Sequence, residues 1–201
     1  MFKIILCIEI DKTFYYDGSL TNFNQSFFWI NMNQPATLPA KYSIATRAFH
    51  WIGALLIVIA VILINMGNQY IALHKAVGVS FLIWTVLRII NRFISKAPPA
   101  LPAPKWQIAI AHLTHLGLYI AMLAMPISGL LMSMYGGRAT SVFGLFEIAP
   151  MVSPNRQLAG IFNELHTDFW FAFLVCLVIA HVGAALYHQF ILKDNIIARM
   201  K

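Results

Sequence analysis

Three histidines lie in one long apolar stretch near the carboxyl end of the chain, residues 165–193: His166, His181 and His188. An imidazole can bind a metal ion or carry a proton, and an ionisable side chain inside a membrane-spanning run is costly enough to indicate a function. At about 3.6 residues per turn, their spacing places all three within about 60° of one helical stripe. His166 and His181 are then about 22 Å apart along the axis, so they can serve two sites near opposite faces of a bilayer.

The composition is that of a membrane protein. Of the 201 residues, 60% are hydrophobic and 10% are charged, whereas soluble domains are about 45–50% apolar and about 25% charged. The net charge of +7 lies between the apolar runs, a pattern that sets membrane topology and does not indicate nucleic-acid binding. Two cysteines are too few for a disulfide framework. We therefore expect membrane lipid, and no nucleic acid, around this chain.

Four apolar runs are each long enough to cross about 30 Å of hydrocarbon. They cover residues 44–66, 71–93, 106–134 and a fourth run that begins near residue 161. The short link between the first two runs predicts antiparallel neighbouring helices, and the four prolines within residues 95–105 predict a stiff, extended connection. A kink is expected at Pro126, and residues 135–160 form the longest loop. The predicted fold is an all-α integral membrane four-helix bundle.

Residues 1–40 differ from the rest of the chain. Their first apolar run is too short to span a membrane, and Glu9 and Asp11 follow where a signal cleavage site would need small residues. We predict a disordered N-terminal extension over residues 1–40 and a transmembrane domain over residues 41–201. Met32 is an alternative start, because the segment that follows it suits a short cytoplasmic lead-in.

Basic residues near the ends of the spans predict the orientation. Nine lie on the side of the amino terminus and three on the other side, and an excess of Lys and Arg marks the cytoplasm. Both termini are therefore predicted to be cytoplasmic. The nine are Lys41, Arg47, Arg88, Arg92, Lys96, Lys105, Lys193, Arg199 and Lys201, and the three are Lys75, Arg138 and Arg156.

Depth in the membrane sorts the remaining histidines. His74 lies as close to the outer face as His166 does, so these two can face each other. His50 lies about 9 Å inside the cytoplasmic end of the first helix. Depth alone permits four partners for His50, which are His181, His188, His112 and His115. For the last two, helix packing is the favoured interpretation.

The histidines fit haem better than zinc. A zinc site needs three or four ligands that converge on one point, whereas helical spacing here gives pairs. Two axial imidazoles for each iron are typical of a haem that transfers electrons. We therefore expect haem iron as the metal in the bundle.

The chain resembles the bacterial cytochrome b561 family of small four-helix di-haem membrane proteins. The resemblance covers residues 41–201 and rests on the order and spacing of several pieces. These are the pair His50 and Trp51, His74 at the start of the second helix, Arg88 and Arg92, the Pro-rich link, AHLTHLGLY at 111–119, PISGLLMS at 126–133, and HVGAALYHQFILKDN at 181–195.

This resemblance implies two haems b in the bundle core of a bacterial inner-membrane protein. His50 and His181 would hold one towards the cytoplasm, and His74 and His166 would hold the other towards the outer face. The two ligands on the fourth helix are one residue further apart than in the family pattern. A local bulge is expected to absorb the extra residue.

A bis-histidine haem has no open coordination site, so it passes electrons. Some members of the resembled family oxidise superoxide at the outer side and reduce ubiquinone, and the residues linked to quinone there match Lys105 and His188. The three outer cations would attract superoxide, and His188 would carry a proton to the quinone. We expect an electron-transfer protein of the respiratory chain, either a superoxide:quinone oxidoreductase or an electron carrier.

Two alternatives stay open. The first is a membrane-anchor cytochrome b subunit that receives electrons from a hydrogenase or dehydrogenase, which would be its redox partner protein. The second is a haem-free transporter or structural bundle, although the sequence shows no inverted repeat and no paired broken helices, which such folds usually show.

Overall fold

A computed structural model describes residues 40–99 and 101–201 of the chain. Nearly all of the extension assigned to residues 1–40, with the alternative start at Met32, lies outside the described residues. The predicted transmembrane domain, residues 41–201, is described except for position 100.

Within the described residues, four long helical runs form the bundle. Helix α1 spans Ile44–Asn65, α2 spans Ile71–Ile94 after a short 3₁₀ turn at Asn68–Tyr70, and α3 spans Lys105–Tyr135. The fourth run consists of α4 (Arg156–Glu164), a π-helical turn (Leu165–Trp170), α5 (Phe171–Tyr187) and a second π turn (His188–Leu192). Each run is long and apolar enough to cross a membrane. The prediction of a helical membrane bundle is confirmed.

The helix boundaries follow local capping. Ser43 precedes α1 and its hydroxyl oxygen accepts a hydrogen bond from the backbone N–H of Thr46 at 3.2 Å. Asn155 caps α4 in the same way, accepting from Leu158 N–H at 3.0 Å. The fourth run therefore begins at Arg156 and not near residue 161, as the hydropathy of the sequence indicated. Helix α3 continues through Pro126, which is buried.

The long loop contains a β-hairpin that the sequence analysis missed. Strands β1 (Thr140–Val142) and β2 (Phe146–Ile148) pair antiparallel. The turn between them places Phe143 at φ 53° and Gly144 at φ 72°. Glycine enters this left-handed region without strain, whereas phenylalanine there is uncommon. Of the two turn residues, only Gly144 is therefore of a type that predicts a hairpin from sequence.

The bundle buries a small core and exposes a large apolar surface. Phe81 on α2, Ala121 and Met122 on α3 and Leu174 on α5 form the buried cluster. Many large apolar side chains on the outside of the helices are exposed, as expected when lipid is the surrounding solvent. Leu174 lies about halfway between His166 and His181 along the fourth run, so this core lies between the depths of those two histidines.

Different segments of the chain lie over the two ends of the bundle. One end, here called the C-terminal end, carries residues 40–43, the Pro-rich link and the last residues of the chain. Arg199 joins them, donating to the carbonyl of Ala40 at 3.1 Å and of Pro99 at 2.6 Å, and the Trp51 indole donates to the carbonyl of Met200 at 2.8 Å. The other end, here called the loop end, carries the hairpin and α4.

Candidate functional site

His74 and His166 face each other at the loop end. Their ring centres are 6.1 Å apart and the rings are steeply inclined, at 80°. Nδ1 of His74 lies 2.9 Å from the carbonyl oxygen of Ala60, and Nδ1 of His166 lies 2.8 Å from that of Met125. A carbonyl only accepts, so each Nδ1 donates its proton and each Nε2 keeps a lone pair for a metal.

The motif PISG on α3, residues 126–129, packs against the ring of His166. A Cβ atom on Gly129 would lie 2.7 Å from Cε1 of His166, so only glycine lets the imidazole approach this close. The buried Ser128 hydroxyl donates to the carbonyl of Met125 at 2.8 Å and lies 3.3 Å from His166 Nδ1. In the sequence this motif marks only the family, whereas in the structure it packs against a histidine.

His50 and His181 form a second pair near the C-terminal end. Their ring centres are also 6.1 Å apart, with the rings inclined at 62°. Here the neighbour of His50 Nδ1 is Nη2 of Arg88, at 3.3 Å. A guanidinium cation therefore lies against this ring, where a backbone carbonyl lies against each ring of the loop-end pair. The surroundings of His50 therefore differ from those of the loop-end pair.

A third imidazole joins this second pair. The ring centre of His115 on α3 lies 5.4 Å from that of His181. The sequence analysis favoured packing for His115, but its depth had also placed it among the partners available to His50. His112, one turn earlier, is exposed. Of the four candidates for His50, the structure brings His181 into a facing pair.

Both facing pairs fit an iron atom between them. A metal bound by two imidazole nitrogens at about 2 Å each, with each ring centre about 1 Å further away, separates the ring centres by about 6 Å. Gly78, about one turn after His74 and on the same face of the helix, has open space where a Cβ would stand. That space suits a flat macrocycle beside the loop-end pair. Among residues 40–99 and 101–201, no three His, Cys, Asp or Glu side chains converge as zinc would require.

A π-helical turn lies where the extra residue of the fourth helix was expected to be absorbed. Leu165–Trp170 is π-helical and contains His166, and regular α-helix follows from Phe171 through His181. A π turn accommodates one more residue than an α turn while the helix continues. With this turn in place, His166 faces His74 while His181 faces His50.

The two residues that the resemblance links to quinone are both at the C-terminal end. Lys105 is exposed and is the first residue of α3, directly after the Pro-rich link. His188 begins the second π turn, is half-buried, and its Nδ1 contacts the carboxylate of Asp194. Asp194 was absent from the sequence analysis as a site residue. Its only signal there was its place in the closing motif of the family.

The three cations assigned to the outer side lie at the loop end. Lys75 follows His74 on α2, and Arg138 lies just beyond α3, near enough for their like charges to interact. Arg156 is exposed at the start of α4. Of the three, Lys75 is the one directly next in sequence to a member of the pair formed by His74 and His166. Glu147, Glu164 and Asp168 are exposed at the same end.

Comparison with known proteins identifies the family. The sequence model of the prokaryotic cytochrome b561 family matches residues 41–201. The chain belongs to this family. It is 30% identical to cytochrome b561 homolog 1 of Escherichia coli K12 over 171 residues, which are 80% of this chain and 96% of that protein. Cytochrome b561 homolog 2 of the same organism is 32% identical over 175 residues, 81% of this chain and 92% of that protein.

A third relative has a name that states an activity. The probable superoxide oxidase CybB of Yersinia pestis is 30% identical over 171 residues, covering 80% of this chain and 95% of that protein. Family membership and the four spans make this b561 chain a bacterial membrane cytochrome with b-type haem that takes part in electron transfer. The resemblance found in the sequence is thereby confirmed.

Proposed function

We propose that this b561 protein holds two haems b and carries electrons between the loop end and a quinone at the C-terminal end. The observation that supports this most directly is the pair of facing imidazoles at each end, both with ring centres 6.1 Å apart. His74 and His166 would hold one haem, and His50 and His181 the other. Haem held in this way would supply one-electron redox chemistry, and with both imidazoles bound its iron would have no free position for oxygen.

Polar groups of the protein contact Nδ1 in three of the four imidazoles. The carbonyls of Ala60 and Met125 fix the loop-end rings through Nδ1, as outer hydrogen-bond partners of metal-binding histidines usually do. Arg88 lies against His50 instead, so a cation rather than a carbonyl faces that ligand. The two proposed haem sites therefore differ in the charge that lies beside their imidazoles.

The electron acceptor in this proposal is ubiquinone, bound near Lys105 and His188. The Lys105 ammonium would donate to a quinone carbonyl and stabilise the negative charge that develops during reduction. His188 would supply protons, since an imidazole gains and loses a proton near neutral pH. The excess of basic residues at this end supports a cytoplasmic location for it in the bacterial inner membrane.

The proposed electron donor is superoxide at the loop end. Superoxide is an anion, and Lys75, Arg138 and Arg156 would raise its local concentration. Two superoxide ions would each give one electron and leave as dioxygen, while one quinone takes two electrons and two protons to become quinol. The name of the Yersinia pestis relative supports this reaction.

Of the alternatives, membership of the b561 family leaves only the haem-containing one. A subunit that depends on a docked hydrogenase or dehydrogenase would keep both haems but would not reduce quinone alone. The haem-free transporter or structural bundle disagrees with the family. The deciding experiment is therefore one that supplies superoxide and quinone without any partner protein.

The purified protein in liposomes with ubiquinone should show two haems b per chain and should form quinol when superoxide is generated outside. The variant His188→Ala should keep both haems in the reduced-minus-oxidised spectrum but reduce quinone about tenfold more slowly or worse. One haem per chain, or a haem lost from this variant, would overturn the pairing. Full haem content without quinol formation would favour the partner-dependent subunit.

A further inference from the structure

A carboxylate holds His188, a histidine at the C-terminal end that lies outside the facing pairs. Nδ1 of His188 contacts Oδ2 of Asp194, and the two side chains are 22% and 26% exposed, so water reaches both only in part. A carboxylate accepts a hydrogen bond, so His188 Nδ1 carries the proton in this contact. The other ring nitrogen, Nε2, is then the one that gains and loses a proton.

Backbone hydrogen bonds and two left-handed residues hold Asp194 close to His188. Lys193 and Asn195 on either side of it both adopt the left-handed conformation, at φ 57° and 58°, which turns the chain back over the end of the helix. Asp194 N–H donates to the His188 carbonyl at 3.3 Å, and Asp194 Oδ1 accepts from Ile196 N–H at 3.2 Å. One carboxylate therefore both starts the final 3₁₀ turn and fixes an imidazole.

The final turn is itself anchored to the rest of the C-terminal end. Ile196–Met200 is a 3₁₀ turn whose Arg199 is only 6% exposed and donates to the carbonyls of Ala40 and Pro99. Pro99 belongs to the link that leads to Lys105. The carboxylate of Asp194 is thus held by a segment that is tied to the same link, and it is not a freely moving surface charge.

From this arrangement we infer that Asp194 is a positioning residue for proton delivery by His188, an inference that rests on the proposed reduction of quinone. The carboxylate holds the Nδ1 proton and stabilises the imidazolium. Nε2–H gives its proton to the quinone oxygen as that oxygen gains electron density. The neutral ring, still with its proton on Nδ1, takes the next proton from water at the bundle end. Two such deliveries supply the two protons of one quinol.

The variant Asp194→Asn tests this role without removing the turn. An amide has one acceptor oxygen, so it cannot accept from both Ile196 N–H and His188. If the oxygen stays on Ile196, the amide nitrogen faces His188 Nδ1 and moves the ring proton to Nε2. The matched control is Asn195→Gly, which changes the neighbouring left-handed residue, keeps that conformation accessible and leaves the carboxylate in place.

The first readout is spectroscopic and needs no turnover. In the holoprotein labelled with ¹⁵N-histidine, reduced and at alkaline pH, His188 should carry its proton on Nδ1 in the wild type and in Asn195→Gly. In Asp194→Asn it should carry the proton on Nε2. The second readout is quinone reduction, where Asp194→Asn should lower kcat by about tenfold or more while KM stays within about twofold, because the wrong tautomer blocks proton transfer and not binding.

The possible outcomes separate the two proposals. If His188→Ala reduces quinone at the wild-type rate, the assigned role of His188 is wrong and the role of Asp194 fails with it. If His188→Ala is slow but Asp194→Asn is as fast as wild type, only the role of Asp194 is wrong. A wild-type His188 with its proton on Nε2, or an equal loss of kcat in Asn195→Gly, would also overturn the inference about Asp194.

Discussion

The carbonyl oxygen of Met125 accepts a hydrogen bond from Nδ1 of His166 at 2.8 Å. This contact joins α3 to the fourth helical run, and the matching contact between His74 and the carbonyl of Ala60 joins α2 to α1. Each imidazole of the loop-end pair is therefore aimed by the backbone of a neighbouring helix. All four helical runs contribute to one small site, so the bundle has to be assembled before this pair exists.

Replacing His74 with alanine should remove the loop-end haem and leave the other haem in place, because each pair draws its imidazoles from its own end of the bundle. The haem content per chain should fall by half. The measurement is a pyridine haemochrome assay together with a reduced-minus-oxidised spectrum. His112→Ala is the control, since His112 is exposed and belongs to neither pair. Retention of both haems by His74→Ala would contradict the assignment.

Replacing Gly129 with alanine should also disrupt the loop-end haem site, although Gly129 has no side chain and is not a haem ligand. The added methyl group would meet Cε1 and Nδ1 of His166 at 2.7 and 2.9 Å and force the ring away from His74. We expect loss of the loop-end haem or a clear shift of its spectrum. Gly160→Ala adds the same methyl group in open space and should behave as wild type. Equal spectra for the two variants would show that the position of the His166 ring does not depend on glycine at position 129.

Deleting Asp168 should be tolerated. Asp168 is exposed within the π turn Leu165–Trp170, and a deletion there can restore α-helical geometry without rotating His166 relative to His181. Both haems should remain. The control deletes the exposed Ile83 from α2, which is regular α-helix, so that the two parts of α2 rotate by about 100° relative to each other. Loss of haem on deletion of Asp168, measured against wild type, would contradict the register role of the π turn.

Replacing Arg199 with alanine should destabilise the C-terminal end. Its guanidinium is nearly buried and donates to two backbone carbonyls, and losing charged hydrogen bonds of this kind costs about 1–3 kcal/mol. Thermal unfolding in detergent should show a Tm that is lower by several degrees. Arg92→Ala, at the exposed end of α2, should change the Tm little. A Tm unchanged in Arg199→Ala would mean that the final turn does not hold this end together.

The positions of three spans and of one histidine pair could be read from the sequence with simple rules. A membrane-spanning helix must be apolar and about 20 residues long, so composition alone places α1, α2 and α3 within a residue or so. Ionisable groups are rare in such runs, so His50, His74, His166 and His181 stand out against the apolar background. Helical rise then converts sequence position into depth, which paired His74 with His166.

Other features depend on contacts that leave little trace in a single sequence. The hairpin at Thr140–Val142 and Phe146–Ile148 needs a left-handed Phe143, which local propensity disfavours and the surrounding fold supplies. Four histidines were available to His50 at the right depth, and only helix packing selected His181 to face it.

The sequence by itself determined that the protein lies in a membrane, how many spans it has and how deep each histidine lies. These properties follow from hydrophobicity and from the fixed rise of a helix. The tertiary structure decided which nitrogen of each loop-end ring is free, which glycine admits a ring, and that Asp194 reaches His188. Those results depend on the rotation and close approach of neighbouring helices and on the path of a turn. Such geometry is set by packing among residues far apart in the chain, as Met125 and His166 are.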